Sequence, residues 1–202
     1  MTGFEPTLSS SHGPSRRSLA SLWVHSPPGY GKTVLASRVS ILCQDKLGEE
    51  TMIVKFFCRP NTFGTEDDEA ANIMRHLLGI AWAAKRSIHR DSERDSTDYN
   101  DSPLPLVYQD PTTKAVRLRT IGESVGSLVN ICVTTPTVII LDGLEVCDKK
   151  TRETVIYALH YIVTHCDKPM KVMVFSETKQ DMVSLRRTVP LCLVGFADKW
   201  PI

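Results

Sequence analysis

What this sequence lacks narrows it first. No apolar run approaches the ~20 residues that cross a bilayer, so no membrane span is expected. The formal charge is +1, from 24 Lys and Arg against 23 Asp and Glu. That balance gives no general electrostatic case for DNA, RNA or an anionic membrane. Six cysteines are scattered along the chain without a Cys-x-x-Cys pair. Most lie in apolar segments, which fits buried free thiols in a reducing, cytoplasmic compartment. Met1 to Ala20 contains Arg16-Arg17 but no long apolar core after it, so it does not read as a secretory signal. His160, His165 and Cys166 have no second ligand cluster, and zinc binding there is not expected. No internal repeat is visible. What remains is 202 residues, 42% hydrophobic and 23% charged, a length and composition suited to one soluble domain with a sizeable core.

The chain is organised around Ser26-Pro27-Pro28-Gly29-Tyr30-Gly31-Lys32-Thr33. A short apolar run, Leu22 to His25, precedes it, and a helical pattern opens at Val34. Strand, glycine-bearing loop ending in Gly-Lys-Thr, then helix is the phosphate-binding arrangement. Gly29 and Gly31 let the backbone curl so that successive N–H groups point at phosphate oxygens. The helix start adds unpaired N–H groups and the positive end of its dipole. Lys32 is expected to reach the β- and γ-phosphates and the Thr33 hydroxyl to hold Mg²⁺. The nucleotide contacts are thus assigned to Ser26, Pro27, Pro28, Gly29, Tyr30, Gly31, Lys32, Thr33 and Val34. Ser26 departs from the strict pattern, which has glycine there. The competing reading is a Pro/Gly turn that happens to end in Gly-Lys-Thr.

Around this loop the pattern alternates. Residues 1–18 are rich in Ser, Pro and Gly and read as a flexible lead-in, leaving 19–202 as the domain. Leu35, Val39, Leu42 and Cys43 share one helical face, with Gly48 as terminator. Met52 to Cys58 is nearly continuous in apolar character, as an interior parallel strand would be. Thr65 and Asp68 resemble a capping box before a helix carrying Ala70, Ile73, Met74, Leu77, Leu78 and Ala81, which is expected to run to about Lys85. Residues 86–118 mix acidic, Ser, Thr, Asn and Pro residues and are expected to be a disordered surface excursion. A helix follows from near Arg119, then the strand Val138 to Leu141. The spacing next predicts a helix over Val155 to Val163, a strand over Lys171 to Phe175, a short helix over Met182 to Arg187 and a last strand over Pro190 to Val194. Such alternation predicts an α/β fold: a three-layer P-loop NTPase with an open, mostly parallel sheet and helices on both faces.

An NTPase also needs an acid to hold Mg²⁺ on a neighbouring strand. Val138-Ile139-Ile140-Leu141 would bury a strand and set Asp142 at its carboxyl end, where ligands of open α/β sheets sit. It follows the loop by about 110 residues, with two βα units between, which suits the P-loop order. The competing reading makes Asp142 a helix cap or turn residue.

With these residues in hand, a family resemblance can be stated. Leu22 to Ser37 resembles the opening of a NACHT-type nucleotide-binding domain, of the nephrocystin-3-like kind found at the N-termini of fungal repeat proteins. Phe56-Phe57-Cys58-Arg59 and Ile73 to Leu78 resemble that family's second strand and following helix. Leu141-Asp142-Gly143-Leu144-Glu145-Val146-Cys147-Asp148 resembles its Walker B segment, and Lys171 to Ser176 its sensor strand. The resemblance implies a STAND-class signalling NTPase, in which ADP or ATP sets closed or open states and opening drives association with protein partners or with further copies.

The departures concern turnover. The family usually carries Asp-Glu where this chain has Glu145-Val146, so Glu145 is the remaining candidate to position water. It favours Thr-Ser-Arg where this chain has Phe175-Ser176-Glu177, an anion in place of a cation. The helical lid and winged-helix parts that follow in the family are not among these 202 residues. The expectation is a Mg²⁺-ATP or Mg²⁺-ADP binding module, with Thr33 and Asp142 at the metal and hydrolysis slow or impaired. The alternative is a degenerate P-loop fold acting as a protein-interaction module. A small P-loop kinase would want a lid with arginines, for which Arg186-Arg187 is the only late basic pair.

Overall fold

Thr137–Asp142 is buried at every position, and a strand buried on both sides needs cover over both faces of its sheet. A computed structural model, which describes residues 21–59, 69–92, 107–109, 116–177 and 192–195, supplies that cover. In chain order the elements are β1 (Ser21–His25), α1 (Lys32–Leu47), β2 (Met52–Phe57), α2 (Glu69–Ser92), β3 (Val107–Gln109), β4 (Val116–Leu118) and α3 (Ile121–Cys132). They continue with β5 (Thr137–Asp142), a 3₁₀ turn (Leu144–Val146), α4 (Lys149–His165), β6 (Met170–Ser176) and β7 (Cys192–Gly195). Strands pair in the order β2-β5-β6-β1-β7, every pair parallel.

The period-2 alternation of the strands separates two cores. Ile139 and Leu141 join Trp23, Val54 and Val172 in the larger cluster under α2, α3 and α4, while Val138 and Ile140 join Val24 and Phe175 under α1. The result is a three-layer α/β, P-loop-like fold, as the alternation of the sequence predicts.

Three expectations need correction. The face of α1 that meets the sheet most closely is the row Lys32, Ala36 and Ser40, flanked by Leu35, Val39 and Cys43. Leu42 instead is exposed with Val34 and Ile41. Small residues let the helix axis approach the sheet, and that rotates Leu42 outward. Second, β2 is an edge strand of the described sheet and not an interior one. Its apolar run reflects cover on both faces by α2 and α1, and only Lys55 is left exposed. Third, α2 runs past Lys85 to Ser92, and Val107–Gln109 pairs antiparallel with Val116–Leu118, so parts of 86–118 are ordered. The lead-in 1–18, the Thr65/Asp68 start, the rest of 86–118 and the helix expected at Met182 to Arg187 lie outside the described residues.

Two helix starts are held by caps that periodicity does not reveal. Thr120 and Glu123 form a full capping box on α3. Asp148 caps α4, accepting from the Thr151 N–H and hydroxyl, both at 2.9 Å. These bonds hold the Asp148 carboxyl below its ordinary value. Asp148→Ala should therefore cost about 1 kcal/mol, read as a lower urea midpoint at neutral pH. A depressed folded-state value means the contribution is complete above the unfolded-state value and is lost as pH falls through the depressed one. The difference between wild type and variant should accordingly shrink in acid.

Candidate functional site

The site begins where β1 ends. His25 is the last residue of β1, and the backbone then turns through Pro27, Pro28 and Gly29 into α1. Gly29 and Gly31 hold φ values of 82° and 76°, the left-handed region that glycine enters without a Cβ penalty. Gly31 precedes α1, the first intrahelical bond runs from the Leu35 N–H to the Gly31 carbonyl, and no side chain caps the end. The N–H groups of the first turn therefore have no helical partner and carry the positive end of the dipole. Pro27 to Gly31, Thr33 and Val34 are exposed around this end, so the loop is open to a ligand.

Lys32 belongs to the inward row of α1 and is only 8% exposed. Its Nζ donates to the Ser26 carbonyl at 2.9 Å and the Pro27 carbonyl at 3.0 Å. The ammonium is thus folded back into its own loop, held by two neutral acceptors and, among the described residues, in no ion pair with a carboxylate. Thr33, the next residue, donates from Oγ1 to Asp142 Oδ2 at 2.7 Å. Asp142 ends β5 at 4% exposure. Burial pushes its carboxyl above the ordinary range, against the Thr33 hydrogen bond, the Lys32 charge and the Gly143 N–H, which favour ionisation. A hydroxyl and a carboxylate in contact at the carboxyl end of the sheet are hard oxygen donors of the kind Mg²⁺ takes. Among the described residues no group of three or more His, Cys, Asp or Glu could hold a metal, so ligand oxygens and water would complete such a coordination shell.

The turn after Asp142 brings in a second carboxylate. Gly143, with φ at 81°, donates to the Phe175 carbonyl at 3.0 Å, and the Cys58 N–H donates to the Asp142 carbonyl at 2.8 Å. This fixes the 3₁₀ turn over the ends of β2 and β6. Glu145 is turned inward, whereas Val146 faces solvent. Burial pushes the Glu145 carboxyl up, while its own N–H, the Lys32 charge and the Glu177 N–H pull it down and the Glu177 charge pushes it up again. Below the turn, Cys58 and Cys147 are buried free thiols, and contact with Cys147 together with burial pushes the Cys58 thiol up.

The β1–β6 register ties these parts together. His25 pairs with Ser176, so Ser26 and Glu177 leave adjacent strands side by side. Trp23 Nε1 donates to Ser176 Oγ at 2.8 Å with both residues buried. Ser176→Ala would leave that indole N–H buried without an acceptor. It should cost about 1–3 kcal/mol in chemical denaturation.

The structure therefore gathers Ser26, Lys32, Thr33, Asp142 and Glu145 at one end of the sheet. Tyr30 and Val34 lie at the exposed rim. Residues 7–177 match the nephrocystin 3 N-terminal family, and the chain belongs to that family. No curated protein matches the chain. Sequence reasoning missed Gly143 and the Trp23–Ser176 bond. The glycine directly after the strand-ending acid was a readable signal, because chains that turn sharply there need positive φ. The indole bond joins residues 153 apart and has no local signature.

Proposed function

We propose that this chain is a nucleotide-binding module that takes ATP or ADP with Mg²⁺ and works as part of a STAND-type, NACHT-like signalling switch. The observation that carries the reading is the Thr33–Asp142 hydrogen bond beside the inward-folded Lys32, at the carboxyl ends of adjacent parallel strands. In this reading the loop N–H groups from Gly29 to Val34 bind phosphate, and Lys32 exchanges its two carbonyl acceptors for phosphate oxygens. Thr33 and Asp142 hold Mg²⁺, which supplies charge neutralisation at the phosphates when bound. Tyr30 and Val34 border the nucleotide. Glu145 is the carboxylate left to accept a proton or hydrogen bond near the terminal phosphate, and with Val146 at the family's usual acidic position turnover, where it occurs, is slow. The switch would act in the cytoplasm on protein partners or on further copies of itself.

Two observations favour a second reading. The family's usual acidic position is the solvent-facing Val146, and Glu177 puts an anion beside the candidate phosphate site. A degenerate fold used only for protein contact would show both. Thermal unfolding with and without Mg²⁺-ATP separates the two. Nucleotide at about 100 times its dissociation constant should add about 2.7 kcal/mol to the native state. An unchanged transition at millimolar Mg²⁺-ATP would favour the interaction module.

A further inference from the structure

α1 has a second face that the core does not use. At the helical repeat, the direction opposite the buried row Lys32, Ala36 and Ser40 is taken by Val34, Arg38, Ile41 and Asp45, with Leu42 alongside. All five are exposed, Val34 at 74%, Ile41 at 46% and Leu42 at 45%. A helix that only roofs a sheet carries polar residues in that direction. Among the described residues α1 is also the only helix over the smaller core, because α2, α3 and α4 pack on the other side of the sheet.

The charges on this face say what covers it. Arg38 and Asp45 are two turns apart, so they point the same way about 10 Å from each other along the axis. Among the described residues neither forms an ion pair. A two-fold axis crossing the helix between Ile41 and Leu42 is equidistant from the two charges. It sets Arg38 against Asp45 of a second copy, and Asp45 against Arg38 of that copy. Ile41 and Leu42 then meet the same two residues at the centre, which gives an apolar middle with a charged rim. The match holds only for antiparallel helices. A parallel pair would oppose Arg38 to Arg38 and Asp45 to Asp45.

We propose that the outer face of α1 is a homodimer interface, on which two copies of this chain pair their first helices antiparallel about that axis, with reciprocal Arg38–Asp45 contacts. The inference does not depend on nucleotide binding. Tyr30 and Val34 lie toward the loop end of α1, beyond the paired region, so both phosphate loops stay open. One helix face is small against a standard interface of about 1,600 Å², so the dimer should be reversible, with a dissociation constant on the order of 10–100 µM. A closed two-fold pair uses up the face and does not extend into a filament.

Sedimentation equilibrium of the full chain without nucleotide, from low micromolar to near-millimolar concentration, tests the pairing. Wild type should follow a monomer–dimer equilibrium. Ile41→Asp should weaken it at least about 10-fold, as loss of a central apolar anchor does. Arg38→Glu and Asp45→Arg should each weaken self-association at least about 10-fold, because like charges then meet twice in every dimer. Mixed together, these two variants should associate within about 3-fold of wild-type strength, since both contacts are then between opposite charges. Nonspecific clustering of apolar surface would show no such recovery. All three positions are exposed, so unfolding midpoints at low concentration should stay near wild type and confirm that each variant is folded. A wild-type chain that stays monomeric at near-millimolar concentration would overturn the proposal. So would folded charge variants that dimerise alone as well as wild type, or a mixture that associates no better than either variant.

Discussion

Replacing Lys32 by alanine should lower Mg²⁺-nucleotide affinity by about 100-fold, or about 3 kcal/mol, the scale for removing one member of a desolvated charge contact. Lys32 is the one buried cation of the loop, and the geometry has already gathered its acceptors. Two backbone carbonyls at 2.9 and 3.0 Å hold the ammonium where the loop N–H groups and the first turn of α1 converge. A phosphate arriving there replaces neutral acceptors with charged ones, and charge-assisted bonds are roughly twice as strong as neutral ones. The unliganded fold should lose less, about 1–3 kcal/mol, because carbonyls of an exposed loop can turn to water. Titration calorimetry on folded variant protein, with denaturation as the parallel measurement, separates the two effects. Affinity within a few-fold of wild type would show that Lys32 does not meet the ligand.

The second large effect concerns stability. Gly143→Ala should destabilise the domain by about 3–5 kcal/mol, combining left-handed strain with a forced backbone displacement. A Cβ built on Gly143 meets the Cys58 carbonyl oxygen at 2.6 Å, and that oxygen is backbone and cannot rotate away. Relief would require separating the end of β2 from the turn after β5, where the Cys58 N–H donates to the Asp142 carbonyl. The same change would move Asp142, so the Thr33 contact should suffer with the fold. Gly29→Ala is the control. It has positive φ as well, but an added Cβ meets nothing within 4 Å, and its cost should stay at about 1–2 kcal/mol. Urea midpoints for the two variants give the comparison. Equal small losses would mean that the Cys58 carbonyl yields easily.

These two residues also mark what could be read in the chain and what could not. The turn that carries Lys32, between β1 and α1, was legible because its signals are local. Glycines, lysine and threonine at fixed spacing between a strand and a helix define the loop wherever it occurs. Asp142 was legible for a similar reason, because four apolar residues before it force a buried strand and leave the acid at its end. The parallel sheet followed from alternation of strands and helices. Strand order was not available in the same way. Met52–Phe57 has the apolar run of an interior strand, yet it sits at the edge of the described sheet, because a run records cover above and below and carries no information about neighbours alongside. The rotation of α1 was misjudged at Leu42 because hydrophobic spacing cannot weigh close approach through Ala36 and Ser40 against burial of a leucine. The inward turn of Glu145 depends on Gly143 and on the Phe175 carbonyl, a contact across strands that no local pattern encodes.

Titration calorimetry of the wild-type chain with Mg²⁺-ATP, after removal of any nucleotide carried through purification, tests the central claim most directly. One site per chain that weakens on chelation of Mg²⁺ and is lost in Lys32→Ala is the predicted result. The absence of heat or saturation at millimolar Mg²⁺-ATP and Mg²⁺-ADP, with the chain folded, would contradict it.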